Sequence, residues 1–197
     1  MFGASEDVTQ VMQRALMFLL LGFGLNSASA FTTAFSRRWG KAGGQLASFV
    51  LRNVLGIPLW VIGVGLAVRV PSAQAFTPSA MIEVLGWILL AVGAVVQLSA
   101  IVVLRLPAAR PSVGDALVSR GVYGRIRHPI YAGLMLEFAG LVLLKPSQSV
   151  VLASAIGCVW AWVQARLEEL DLVKRMPAYR EYMIRVPRFV PRLGRKA

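Results

Sequence analysis

Leu141-Val142-Leu143-Leu144-Lys145-Pro146-Ser147-Gln148-Ser149-Val150-Val151-Leu152 joins two apolar runs through Lys145-Pro146-Ser147 alone. So short a link forces the flanking helices into an antiparallel hairpin. The first arm covers about 130–144. The second covers about 148–166 and continues as a polar helix towards Arg175. The hairpin returns the end of its second arm to the face where the first arm began. Topology alone therefore puts Arg127-His128 and the pair Glu168-Glu169 at one membrane face.

Three further apolar runs lie upstream, at about 11–35, 45–68 and 79–104, and each suits the roughly 20 residues a spanning helix needs. The predicted fold class is all-α: a polytopic membrane bundle of about five transmembrane helices with a cytoplasmic or interfacial C-terminal tail. We divide it into a three-helix scaffold (1–104) and a catalytic region (105–197), integrated as one domain. The first run carries Asn26, Ser27, Ser29, Thr32 and Thr33 in its second half, which marks that half as facing protein. The second has Arg52 and Asn53 near its start and Pro58 inside.

Composition agrees. Hydrophobic residues make up 57% and charged residues 15%, against about 25% charged in a soluble domain. The formal charge of +12 could suggest a nucleic-acid partner. Its distribution argues otherwise, because the bases lie in loops beside apolar spans and in the tail. Arg37, Arg38 and Lys41 follow the first span. Arg105, Arg110, Arg120, Arg125 and Arg127 follow the third. Lys174, Arg175, Arg180, Arg185, Arg188, Arg192, Arg195 and Lys196 follow the fifth. The other side holds Arg69 and Lys145. This alternation predicts an outside N-terminus and a cytoplasmic C-terminus, in a cytoplasmic (inner) membrane with anionic lipid at the basic face. The acidic Glu6 and Asp7 before the first run argue against a cleavable signal. Cys158 is the only cysteine, so neither an intramolecular disulfide nor an all-cysteine metal site is expected, and no metal ligand set is assigned.

The densest polar stretch is Arg120-Gly121-Val122-Tyr123-Gly124-Arg125-Ile126-Arg127-His128-Pro129-Ile130-Tyr131-Ala132-Gly133, which holds the only histidine. Pro129 suits a first helical turn, so the loop ends at a helix N-terminus that favours an anionic group. Arg127 could pair with a carboxylate or phosphate in fork geometry. Alternatively, these arginines anchor lipid phosphates and His128 caps the helix. Glu168 and Glu169 oppose the basic bias of their face. They could bind an ammonium or sulfonium, or form salt bridges to Arg166, Arg127 or Lys174. Glu137, inside the fourth span, could be neutral, pair with Arg52, or line a substrate path. Gln97 could bond another helix.

The joint pattern resembles the isoprenylcysteine carboxyl methyltransferase-like proteins and their phospholipid methyltransferase relatives, which are integral membrane methyltransferases. It comprises Gly121-Val122-Tyr123, then Arg127-His128-Pro129-Ile130-Tyr131-Ala132-Gly133, then Glu168-Glu169. Tyr179 with Tyr182 and Val186-Pro187-Arg188-Phe189-Val190-Pro191 complete it. The resemblance covers about 117–191. It implies S-adenosylmethionine as methyl donor and a lipidic or hydrophobic small-molecule acceptor. It implies Arg127 and Tyr131 as catalytic residues. The implied cofactor-binding residues are Gly121, Tyr123, Arg127, His128, Pro129, Tyr131, Glu168, Glu169, Tyr179 and Tyr182. In that reading Arg127 or the helix N-terminus takes the cofactor carboxylate, and Glu168 or Glu169 takes its ammonium or ribose hydroxyls. Tyr123, His128 and Tyr131 wall the adenine or sulfonium. No glycine-rich Rossmann fingerprint is present, which excludes the usual soluble methyltransferase fold. The alternatives are a phospholipid amine N-methyltransferase, a sterol-type reductase, and a non-enzymatic scaffold that retains the motif.

Overall fold

The computed structural model describes residues 8–105 and 111–192, and these are helical with no strand beyond one isolated bridge between Gln74 and Ser147. Glu6, Asp7, Arg110, Arg195 and Lys196, used above in reading charge, lie outside the described residues.

The first helix, α1 (Val8–Ala28), stops seven residues short of the expected end of the first span. Its own polar residues end it. The Ser29 hydroxyl donates to the Asn26 carbonyl at 2.5 Å, and the Thr32 hydroxyl donates to the Ser29 carbonyl at 3.3 Å. Short hydroxyl side chains compete with the helical ladder for these carbonyls. A new helix starts at Thr32, so the second span is longer than expected. It comprises α2 (Thr32–Phe49), a π-helical turn (Val50–Gly56) and α3 (Ile57–Arg69). Gly40 kinks α2 with φ 72° and ψ 173°. Pro58 lacks an N–H for the ladder, and the π turn directly before it is one of the recognised ways a helix absorbs such a break.

The remaining elements are α4 (Ala80–Leu104), a 3-10 turn (Gly121–Gly124), α5 (Pro129–Leu144), α6 (Gln148–Arg175) and α7 (Tyr179–Arg185). Ser79 caps α4 by accepting from the Ile82 N–H at 3.4 Å. Four helical stretches are long and apolar enough to cross a membrane: Val8–Ala28, Thr32–Arg69, Ala80–Leu104 and Gln148–Arg175. Helix α5, of 16 residues, is shorter; at about 1.5 Å per residue it reaches roughly 24 Å. The molecule is an integral membrane helical bundle, and the hairpin predicted around Lys145-Pro146-Ser147 is its α5–α6 corner.

Two glycine seams bring the helices together. Gly86 and Gly93 of α4 face Gly140 and Gly133 of α5, in antiparallel order. A Cβ on Gly133 would lie 2.6 Å from the Gly93 carbonyl oxygen, and one on Gly93 would lie 2.6 Å from that of Gly133. On the other side Gly22 of α1 abuts the Trp60 backbone, and Gly63 of α3 abuts Leu19. Without a hydrophobic drive between helices in lipid, such close backbone approach supplies much of the packing energy. The apolar side chains of α4, among them Met81, Trp87, Val95 and Val102, face outward. The core gathers Leu19, Phe23, Phe138 and Trp160. The Trp160 ring stacks on Phe23 at 4.3 Å and its indole N–H donates to the Phe23 carbonyl at 3.1 Å.

Candidate functional site

The loop before α5, the end of α6 and the tail after α7 meet at one end of the bundle. The tail pairs with the loop through its backbone: the Arg127 N–H donates to the Pro187 carbonyl at 2.9 Å, and the His128 N–H to the Arg188 carbonyl at 3.0 Å. Gly121 has φ 60°, a left-handed conformation that glycine adopts without strain. It turns the chain into the 3-10 segment that buries Tyr123. The Tyr182 hydroxyl donates to the Tyr123 carbonyl at 2.6 Å and ties α7 to that segment. Burial raises the phenols of Tyr123 and Tyr179 far above the ordinary value, and pushes Tyr182 up to about 12. All three therefore act as neutral hydrogen-bonding groups.

The two adjacent glutamates have different surroundings. Glu169 is 1% exposed. Its Oε1 accepts from Arg127 Nη2 at 2.8 Å, Arg127 Nε at 3.1 Å, His128 Nε2 at 3.2 Å and Arg188 Nε at 3.1 Å. Its Oε2 accepts from Arg188 Nη2 at 2.7 Å. Arg127 spends its remaining terminal nitrogen on the Met183 carbonyl at 2.9 Å and on the Val186 carbonyl. Glu169 is thus the centre of a buried ionic knot that closes loop, helix and tail on one another. Glu168 instead lines a cavity. Its Oε1 accepts from the Tyr131 hydroxyl at 2.6 Å, from Arg52 Nη2 at 3.1 Å and from Gln164 at 3.3 Å, while its Oε2 stands 3.9 Å from His128 Nδ1. The His128 ring lies between Tyr131, at 5.8 Å, and Phe189, at 6.2 Å.

The cavity holds about 930 Å³ of space free of protein atoms, part of it open to solvent. Of the residues expected from sequence, Tyr123, Arg127, His128, Tyr131, Glu168, Tyr179 and Tyr182 line it, whereas Gly121, Pro129 and Glu169 do not. Pro129 opens α5 as its first residue and is fully buried. The expected ion-pair partners of the glutamates divide as well: Arg127 and Arg166 reach Glu169, and Lys174 has no such pairing.

Sequence reasoning named Arg52 and Arg188 without placing them at the glutamates, and it missed the trio Asp115, Asp171 and Arg175. Arg52 pairs with Glu168, not with Glu137 as one reading allowed. Glu137 sits instead at the α4–α5 seam beside Gly93 and does not line the cavity. Arg175 holds Asp171 at 3.1 Å and Asp115 at 3.6 Å, and Asp171 accepts from the Thr33 N–H at 3.1 Å. This trio fastens the segment before the 3-10 turn to α6 and to the start of α2. The signal that marks Arg52 in the sequence is a lone arginine inside an apolar run, which is costly unless it has a partner or a site. Among the described residues no group of histidine, cysteine and carboxylate side chains is suited to holding a metal ion.

Residues 81–176 match the phospholipid methyltransferase family model. The match runs from the start of α4 to just past α6, and so contains the hairpin, the Arg127-His128 loop and both glutamates. It covers just under half of the chain and leaves out α1 to α3 and the tail. A curated relative, the cobalt-zinc-cadmium resistance protein CzcN of Cupriavidus metallidurans, is 37% identical over 82 residues. That alignment covers 41% of this chain and 38% of that protein, so the chain spans well under half of the relative's length. No solved structure matches. The resemblance to membrane methyltransferases drawn from the motifs is thus carried by the family match, which supports a methyltransferase embedded in a membrane.

Proposed function

We propose that this chain transfers a methyl group from S-adenosylmethionine to a lipidic or hydrophobic acceptor at the cytoplasmic membrane face. The carrying observation is the convergence of Tyr123, His128, Tyr131 and Glu168 on one cavity, all from the region that matches the methyltransferase family. The donor set suits the cofactor. Glu168 offers a carboxylate for an ammonium or a ribose hydroxyl. Tyr123, Tyr131 and His128 offer aromatic faces, which attract cationic groups. When bound, S-adenosylmethionine supplies an electrophilic methyl group on a sulfonium.

The chain's own part is alignment and exclusion of water. Tyr131 fixes the Glu168 carboxylate by donating to it. Arg127 acts through Glu169 and the tail carbonyls, as a clamp that sets the position of His128. The tail covers the loop and shields it from solvent. A carboxylate acceptor needs no base, whereas an amine acceptor must lose a proton, which His128 or Glu168 can take. The carboxyl O-methyltransferase reading is the first choice, and a phospholipid amine N-methyltransferase is the alternative.

Calorimetry of purified protein with S-adenosylmethionine tests the reading. Binding should be measurable, and Glu168→Gln should weaken it by about 1.5–3 kcal/mol, the worth of one charge-assisted contact. Absence of binding to the unaltered protein would refute the cofactor assignment.

A further inference from the structure

Gly40, with φ 72°, reverses the direction of α2. A continuous helix would set residues 32 and 48 about 24 Å apart, yet the Thr32 and Ser48 hydroxyls bond at 3.0 Å. Gly44 likewise lies against Ser36, where a Cβ would overlap the hydroxyl and meet the backbone nitrogen at 2.7 Å. Residues 32–39 and 41–49 are therefore two short antiparallel arms, a small helical hairpin with Trp39-Gly40-Lys41 at its tip. The hairpin stands at the cavity end of the bundle. Thr32 lines the cavity, the Thr33 N–H donates to Asp171, and Lys41 lies against Gly114. Its surface combines aromatic and basic side chains. Phe35 and Trp39, four residues apart, share one side of the first arm, and Phe31 precedes them by the same step. Phe31 and Trp39 are exposed, as is Leu46 on the returning arm, and the Phe35 and Trp39 rings stack at 5.5 Å. Beside them Arg37, Arg38 and Lys41 are exposed at the tip. No acidic residue occurs between positions 8 and 82. The carboxylates that border the hairpin, Asp115 and Asp171, are both held by Arg175. Among the described residues, none of the three tip cations forms an ion pair.

We propose that this hairpin is a docking arm for anionic phospholipid headgroups at the membrane face that carries the cavity. Phe31, Trp39 and Leu46 enter the headgroup layer, as apolar side chains of interfacial elements do. Arg37, Arg38 and Lys41 meet lipid phosphates, which guanidinium groups bind in fork geometry. A zwitterionic headgroup carries its own cation beside the phosphate and leaves the tip charges unmatched. Because Thr32 belongs to both hairpin and cavity, docking holds the cavity mouth level with the headgroups. The inference stands apart from the reaction proposed above and needs no methyl donor.

Two measurements on the full chain test it. Ala42 is exposed beside the tip. Ala42→Cys in a Cys158→Ala background is spin-labelled and reconstituted in phosphatidylcholine vesicles, with or without phosphatidylglycerol. With phosphatidylglycerol the label should be shielded from a water-soluble nickel relaxant and reached by oxygen. In phosphatidylcholine alone the nickel complex should reach it. A label open to nickel in both vesicles overturns the proposal and points to a soluble acidic partner. A label equally shielded in both also overturns it, because charge then plays no part. Native mass spectrometry in detergent compares retention of the two lipids. Arg37→Gln, Arg38→Gln and Lys41→Gln together should weaken phosphatidylglycerol retention about tenfold or more, with phosphatidylcholine retention unchanged. A charge-matched control, Lys174→Gln with Arg180→Gln and Arg185→Gln, removes three exposed bases elsewhere and should lose far less. Equal losses in the two triple variants would make the preference a matter of net charge and overturn its assignment to the hairpin.

Discussion

Glu168 and Glu169 are neighbours with opposite burdens. Glu169 is buried against Arg127, Arg188 and His128. Removing its charge leaves buried cations unpaired, which typically costs about 3–5 kcal/mol. Glu169→Gln should therefore lower the thermal midpoint in detergent sharply and expose the chain near Arg188 to protease, as a melt and a digest would report. Glu168→Gln, which loosens only the more exposed pairing with Arg52, should change both readouts less than Glu169→Gln does. Tyr182 gives the tail a pH dependence. Its folded value of about 12 lies above the ordinary value of 10.0. The stabilisation is fully present below about pH 10 and is lost as pH rises through the folded value. Only the protonated phenol can donate to the Tyr123 carbonyl. Protease sensitivity of α7 should therefore rise across that interval, and Tyr182→Phe should lessen the dependence at a cost of about 1 kcal/mol, the shares of Tyr123 and Tyr179 remaining.

The helices were easier to foresee than their joints. Apolar runs mark α4, α5 and α6 almost to the residue, although α5 is shorter than the others and the Ser99 hydroxyl inside α4 bonds back to the Val96 carbonyl. The first two spans differ because Ser29, Thr32 and Pro58 redirect backbone hydrogen bonds, and competition of that kind does not show in hydropathy. The motif loop and both glutamates could be placed at one face from the hairpin alone. The roles of the glutamates could not, since Arg188 and Arg52 reach them from distant sequence and only packing decides which reaches which. Gly133 belongs to the motif, yet its contacts are those of the α4–α5 seam. Gly133→Ala would force a Cβ against the Gly93 carbonyl and should cost about 1–3 kcal/mol. Gly24 and Gly65, whose Cβ positions meet nothing within 4 Å, are the controls. Alanine there should be neutral or slightly stabilising, and thermal melts of the three variants would show the contrast.

The bundle has two chemically distinct ends. At one, Lys41 lies against Gly114, and Arg127, Arg175 and Arg188 surround the cavity and its cover. At the other, Ala75 N–H donates to the Pro146 carbonyl at 2.7 Å and Gln148 N–H to the Ala73 carbonyl at 2.9 Å, joining two loops that carry little charge. A reporter fused after Ala197 should be cytoplasmic and one inserted near Gln74 external; finding both on one side would refute the proposed orientation. The backbone pairing of Arg127 and His128 with Pro187 and Arg188 also bears on how the protein is made. The membrane helices emerge and insert one after another, and the segment that pins the Arg127-His128 loop is synthesised after all of them. A nascent chain halted just before Pro187 carries every long helix and the cavity wall, but not the backbone pairing that holds the loop. The loop is thus pinned in one step, once the bundle that carries it is already in the bilayer.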